Sequence, residues 1–331
     1  MLLSGVAGCY RIPPHGSQGM CSARPRMFNS GISVIQTIKV LLIRCLLWVC
    51  SRLSLRAAQA LGGLIGRCSW RLKTVSCRTT CTNLRLCFPE MSQQERDSLA
   101  RQSLIDTAKT ACELGRIWER PIPKVVELIA KVSGAEILDE AVAQGKGVII
   151  VAPHLGSWEL TGVYLDTRHT CTYLYKPPKL EAFGEALIRY RSRQGAQLAP
   201  TSPKGVAMLL KALARGEMVG ILPDQEPGLE SGVFAPFFGI PALTMTLVAK
   251  LAQRTDAEVI SMFARRLPDA TGFEIVIDKA RSGIKDADPE LAATALNATV
   301  EDCVRQALSQ YQWEYRRFKQ QPDQIKNALY R

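Results

Sequence analysis

A continuous apolar run stopped by a proline and a histidine constrains this chain more than any other feature. Val148-Ile-Ile-Val-Ala152 is mostly β-branched, bounded by Gly147 and Pro153, and reads as a buried strand. His154 stands at its tip. Gly156 and Ser157 give a turn, and Glu159 to Tyr164 starts a helix. A histidine and a carboxylate at the open end of a parallel-type strand can meet each other and a ligand, because open α/β sheets bind ligands at that end. From Gly147 onward strand and helix alternate. The pattern predicts strands over 148–152, 172–175, 197–199, 219–222, 258–264 and 273–277, and helices over 158–167, 180–194, 203–215, 244–254 and 289–311. The expected fold class is therefore α/β, a mainly parallel sheet flanked by helices.

Upstream, Ser92-Gln-Gln-Glu95 is a capping box that opens a helix running to about Arg120, ended by Pro121 and Pro123. Residues 125–132 read as a short helix, 135–139 as a strand or turn, and 140–144 as a short helix. The charge map adds what the periodicity lacks. The net charge is +12, yet the first acid is Glu90, and twelve Lys and Arg precede it. The remaining thirty basic and thirty acidic residues balance, so the whole excess lies in the N-terminal quarter. The apolar stretch 32–50 lies there too, about as long as a bilayer span and interrupted by Lys39 and Arg44. An apolar, basic segment of this kind suits an anionic lipid surface, as a tilted transmembrane helix or as a helix lying in the interface. Residues 53–72 continue it as an amphipathic helix. The expected organisation is a leader over 1–30, disordered or an over-long gene start, a membrane-associated helical segment over 31–75, and a catalytic domain over 76–331. The eleven cysteines have no Cys-x-x-Cys spacing, so reduced thiols are expected and no metal site.

Three histidines occur. His15 lies in the leader and His169 in a polar loop, which leaves His154 as the candidate general base, with Glu159 five residues on as the carboxylate that would fix its tautomer. Ser157 lacks the Gly-x-Ser-x-Gly setting of a hydrolase nucleophile and reads as a helix cap. Asp224, in Leu222-Pro-Asp224-Gln-Glu, follows a second strand and proline and should reach the same sheet edge; a turn or N-cap aspartate is the structural alternative. Arg189, Arg191 and Arg193 can clamp phosphate or carboxylate groups, or form a solvated helix face. The apolar stretch 232–244 reads as a loop lining an acyl chain, contacting a membrane, or packing over the sheet edge.

Taken in order, His154-Leu-Gly-Ser-Trp-Glu159, Arg191-Ser-Arg193-Gln-Gly195, Leu222-Pro-Asp224-Gln-Glu-Pro-Gly, Phe234-Ala-Pro-Phe-Phe-Gly-Ile-Pro-Ala-Leu-Thr and Gln312-Trp-Glu-Tyr-Arg-Arg317-Phe-Lys-Gln-Gln-Pro322 resemble the bacterial lipid A biosynthesis acyltransferases, within the wider lysophospholipid acyltransferase-like superfamily. The resemblance spans about 32–322. It implies transfer of a fatty acyl group from acyl carrier protein to a hydroxyl of a lipid A precursor, at the cytoplasmic side of the bacterial inner membrane, in lipopolysaccharide biosynthesis. It further implies His154 as base with Glu159 orienting it, Asp224 and either Arg191 or Arg193 in substrate binding, and no cofactor beyond the acyl donor. The expected partners are acyl carrier protein, the lipid A precursor and the inner-membrane phospholipid surface, and not nucleic acid. A lysophospholipid or other glycolipid acceptor, and a non-catalytic lipid-binding protein on the same scaffold, are the rival readings.

Overall fold

The computed structural model describes residues 34–178, 181–323 and 328–330; the leader over 1–30, with His15, lies outside them. Nine strands and eleven α-helices are present among the described residues. The main sheet holds β1 (Ile129–Ser133), β2 (Val148–Val151), β3 (Cys171–Tyr175), β4 (Gln197–Pro200), β5 (Met218–Ile221), β8 (Glu258–Arg266) and β9 (Phe273–Lys279). A hairpin of β6 (Gly232–Phe237) and β7 (Ile240–Met245) stands apart from it. The sheet order is β1-β9-β8-β2-β5-β3-β4. Pairing is parallel except between β8 and β9, so β1 and β9 run against the other five.

All four residues of β2 are buried, because helices cover both faces of the sheet. Ile149 and Val151 face a core shared with α9 (Pro203–Ala214), α10 (Leu247–Thr255) and α11 (Pro289–Gln306). Val148 and Ile150 face a second core with α6 (Ala135–Ala143), α7 (Trp158–Asp166) and Leu187 of α8 (Glu181–Arg191). The connection leaving β2 passes through α7 to β3 on one side. The connection leaving β5 passes through α10 to β8 on the other. The tips of β2 and β5 therefore flank a topological switch point, where an open α/β sheet leaves a crevice.

The N-terminal helices are α1 (Val34–Arg52), α2 (Leu55–Arg71), α3 (Val75–Cys87), α4 (Gln93–Glu119) and the short α5 (Ile122–Val126). The predicted capping box of α4 forms, with Ser92 and Glu95 each satisfying the other's backbone N–H. Helices α1 and α2 pack on α4 at very short range. A Cβ built on Gly66 would stand 2.4 Å from the Ile105 Cα, and one on Gly115 would stand 2.4 Å from the Leu47 carbonyl oxygen. No helix among the described residues is long and apolar enough to cross a membrane. This corrects the transmembrane expectation. At 19 residues α1 has about the length of a span, but Lys39, Arg44, Arg52 and the polar Gln36 and Thr37 lower its hydropathy. It buries Leu47, Cys50 and Ser51 against the protein and leaves Leu41, Leu42 and Trp48 more than half exposed.

Other boundaries also moved. The segment predicted as a short helix over 125–132 gives way from Ile129 to edge strand β1, paired with β9, and Ala135–Ala143 is one helix entered through Gly134 at φ +78°. The apolar stretch 232–244 is a hairpin with Phe238 and Gly239 both at positive φ, a two-residue turn lacking the usual Asn-Gly signature. Its Phe237, Ala242 and Leu243 are buried, so the packed alternative holds for these residues.

Candidate active site

Parallel neighbours in register bring equal offsets side by side. Val151 pairs with Ile221, and each is followed by one apolar residue, a proline and a polar residue. His154 and Asp224 consequently meet at the tips of β2 and β5. The Asp224 Oδ1 lies 2.8 Å from His154 Nδ1, and Oδ2 accepts the His154 backbone N–H at 2.8 Å. The Asp224 side chain is 2% exposed and the imidazole 16%. Burial would push the Asp224 carboxyl up. The neighbouring imidazole and its ring and backbone N–H bonds outweigh this, and the carboxyl sits below its ordinary value. A carboxylate there fixes the tautomer: Nδ1 carries the proton and Nε2 presents a lone pair. The Trp158 ring packs against the imidazole at 5.2 Å between centroids.

The loop after His154 is pinned at nearly every backbone group. Gln312 N donates to the His154 carbonyl at 3.1 Å, Gly156 N to the Gln310 carbonyl at 3.0 Å and Ser157 N to the Ala264 carbonyl at 2.8 Å. Thr110 Oγ1 donates to the Gly156 carbonyl at 3.2 Å. Gly156 itself is at φ +60°, with room for no side chain, since a Cβ would fall 2.1 Å from the Ala264 carbonyl oxygen. Thr110 is in turn held by Arg266, which pairs with Glu113 at 2.6 Å and Asp106 at 3.3 Å in the interior. Gln59 of α2 donates to Glu113 at 2.8 Å. A fully bonded ionic cluster thus ties α2 and α4 to the histidine loop.

Glu159 does not orient His154. It begins α7 and turns to the other side, where Arg191 Nε bonds both its oxygens at 3.1 and 3.2 Å and Trp118 Nε1 donates to Oε2 at 3.2 Å. Arg191 Nη2 completes a forked ion pair. Burial raises the Glu159 carboxyl, but the Arg191 charge outweighs it and the net direction is down; the Arg191 guanidinium is correspondingly raised against its own burial. Asp224, and not Glu159, is therefore the carboxylate that meets the His154 ring. The Arg193 guanidinium donates to the carbonyls of Ile117 at 2.6 Å, Arg120 at 2.9 Å and Tyr190 at 3.2 Å, closing the C-terminal end of α4, and it also lines the cavity beside Glu159.

Beside Glu159 and Arg191 lies a cavity of about 70 Å³, lined also by Trp118, Trp158, Tyr173 and Leu222; Trp158 is the wall residue that touches the His154 ring. Trp118 and Tyr190 stack at its edge, 5.2 Å apart and nearly parallel. Sequence reasoning did not single out Trp118, Gln225, Gln312 or the Arg266 cluster. Gln225 directly follows Asp224 and was within reach of it; the others come from remote segments.

The family description "Bacterial lipid A biosynthesis acyltransferase" matches residues 27–320. The chain belongs to this family. Among its relatives, the lipid A biosynthesis lauroyltransferase of Escherichia coli (strain K12) is 29% identical over 84% of this chain and 90% of its own length. A lipid A biosynthesis acyltransferase of Haemophilus influenzae is 30% identical over 70% and 72%, and the palmitoleoyltransferase of Escherichia coli (strain K12) is 28% identical over 72% and 78%. The protein is accordingly an O-acyltransferase of lipid A biosynthesis.

Proposed function

We propose that this acyltransferase moves a fatty acyl group from acyl carrier protein to a hydroxyl of a lipid A precursor, with His154 as general base and Asp224 as its orienter. The 2.8 Å pairing of His154 with Asp224 at the switch point, in a chain of this family, carries the reading. Asp224 keeps the proton on Nδ1, so Nε2 carries the lone pair that takes one. The acceptor oxygen attacks the thioester carbonyl as its proton passes to Nε2. The new C–O bond forms, the C–S bond breaks, and the thiolate leaves with the proton that the imidazolium returns. No covalent enzyme intermediate is needed. Arg191, fixed by Glu159 on the cavity wall, offers the positive charge that a developing oxyanion or a phosphate requires. The reaction as proposed uses no cofactor besides the acyl donor.

The enzyme is further proposed to work on the cytoplasmic face of the bacterial inner membrane. Exposed Ile38, Leu41, Leu42, Leu46 and Trp48 on α1, and Leu64 and Ile65 on α2, are accompanied by Arg44, Arg52, Arg56, Arg67 and Arg71 on the same two helices. Apolar residues with neighbouring cations suit a helix pair lying in the headgroup region. The same positive charge suits an acidic carrier protein.

Transfer from acyl-acyl carrier protein to a lipid A precursor, followed with purified protein, tests the reaction. His154→Ala and Asp224→Asn are each expected to lower kcat by about 10²- to 10⁴-fold. A His154→Ala protein retaining a third of the native rate would sink the assignment. Mass spectra of lipid A from cells lacking the gene should show one acyl chain fewer; an unchanged pattern would count against this acceptor.

A further inference from the structure

The lone pair on which the proposed chemistry depends is already covered. The Gln225 carboxamide nitrogen lies 3.2 Å from His154 Nε2 and 3.4 Å from Gln312 Oε1. With the Nδ1 proton donated to Asp224, Nε2 is an acceptor, and the amide orientation that places an N–H on it is the one chemistry favours. Gln312 is anchored, since its backbone N–H donates to the His154 carbonyl at 3.1 Å. The next backbone groups are anchored as well. Glu226 N–H donates to the Tyr315 hydroxyl at 2.9 Å, and the Trp313 and Tyr315 carbonyls accept from Asn83 at 2.7 and 2.8 Å. Two amide side chains, one from the segment after β5 and one from the segment after α11, therefore close over the base.

We propose that Gln225 is a place-holder on the general base, held there by Gln312 and displaced by the acceptor hydroxyl. This rests on the acyl-transfer reading above. With no acceptor bound, the Gln225 N–H occupies Nε2 and a water cannot be activated at that position. When the acceptor arrives, its hydroxyl donates to Nε2, and the displaced amide donates to the acceptor oxygen. That contact aligns the oxygen's remaining lone pair with the thioester carbonyl. Gln225 thus favours transfer over hydrolysis, in which water would attack the same carbonyl, the C–S bond would break, and free fatty acid and the carrier thiol would result. The selection uses a hydrogen bond that a long, tethered acceptor can replace and a lone water replaces poorly.

The test uses the full-length enzyme, a lauroyl thioester of acyl carrier protein, and a lipid A precursor. Two rates are read: acyl transfer with the acceptor present, and thioester hydrolysis without it. Gln225→Met keeps the bulk of the side chain and removes its donor. It is expected to raise the ratio of hydrolysis to transfer by roughly five- to tenfold, the size of one hydrogen bond between neutral groups. Gln312→Leu, which cuts the tether and leaves Gln225 in place, should shift the ratio in the same direction. A rise of threefold or more in the Gln225→Met ratio supports the place-holder; any smaller change overturns it, including a parallel fall of both rates. The native arm separates the two readings. A native enzyme that transfers nothing to the precursor overturns the acyl-transfer reading itself, whereas normal native transfer with an unmoved ratio overturns only the role of Gln225.

Discussion

At the scale of single residues, burial decides what each ionisable group does. Asp224 and Glu159 are both buried carboxylates at one sheet edge, and each is kept ionised against its burial chiefly by a different neighbour: His154 for the first, Arg191 for the second. Asp166 is the contrasting case. Burial pushes its carboxyl up to about 6 from 3.8, against the Tyr173 hydroxyl that donates to it at 2.6 Å. The sign follows from which state holds the proton. The unfolded chain releases it near its ordinary pKa while the folded protein keeps it, so stability present below that point falls as pH rises through about 6. Asp166→Asn keeps an oxygen for Tyr173 and has no proton to lose. It is expected to be close to the native protein in stability near pH 4 and more stable above pH 7, by up to about 3 kcal/mol. Urea titrations of both proteins across that pH range check it; a difference independent of pH would refute it. Of these features, the candidacy of His154 and the arrival of Asp224 at the same sheet edge were legible in the sequence. The choice of Asp224 over Glu159 as its partner was not, because a five-residue offset says nothing about which way a carboxylate turns after Gly156. The matching Pro153-His154 and Pro223-Asp224 offsets did carry that information, but only once β2 and β5 are known to be neighbours.

At the scale of elements, the histidine loop depends on helices that never touch the chemistry. Helix α4 holds α1, α2 and α3 on one flank and, through Glu113, Asp106 and Thr110, holds Arg266 and the Gly156 carbonyl on the other. Its spacing from α2 is set by glycines. Gly66→Ala would place a Cβ 2.4 Å from the Ile105 backbone and must push the helices apart, at a cost of about 1 to 3 kcal/mol. Gly63→Ala, one helical turn earlier, meets nothing closer than an Arg67 guanidinium nitrogen at 3.5 Å. It should instead stabilise the protein by up to about 1 kcal/mol, the helix-propensity gain of alanine over glycine. Opposite shifts in the urea midpoint are the expected result, and shifts of the same sign would contradict it. The existence of α4 and its cap was legible from Ser92 and Glu95. Strand β1 was not, because a short edge strand with exposed Ala130 and Lys131 has the same apolar spacing as a short helix. The hairpin was hidden by a Phe238-Gly239 turn, in which Phe stands at a positive φ where Asn or Asp is usual.

At the scale of the molecule, charge and exposed apolar surface coincide on α1 and α2. If these helices lie in the interface, Leu41→Glu with Leu42→Glu should lower co-sedimentation with anionic phospholipid vesicles several-fold. Each substitution replaces an exposed leucine, so folding should be undisturbed. Native binding should also weaken as salt rises, because the arginines act through a screened surface potential. Binding unchanged by the double substitution would refute the in-plane arrangement. Helix α2 reaches the histidine loop through Gln59, which bonds Glu113 of α4, so the proposed lipid-facing surface and that loop belong to one packed body.

The sequence by itself determined the alternation of strand and helix, the basic N-terminal quarter, and a histidine at a strand tip, because each is written in neighbouring residues and their period. Tertiary structure alone decided the partners. Strand order set β5 beside β2 and so gave His154 to Asp224; the fold of α8 gave Glu159 to Arg191; and the segment after α11 brought Gln312 back over the base. These contacts join residues 32 to 87 positions apart, and no local pattern records which distant group will fill the last hydrogen bond of a buried side chain.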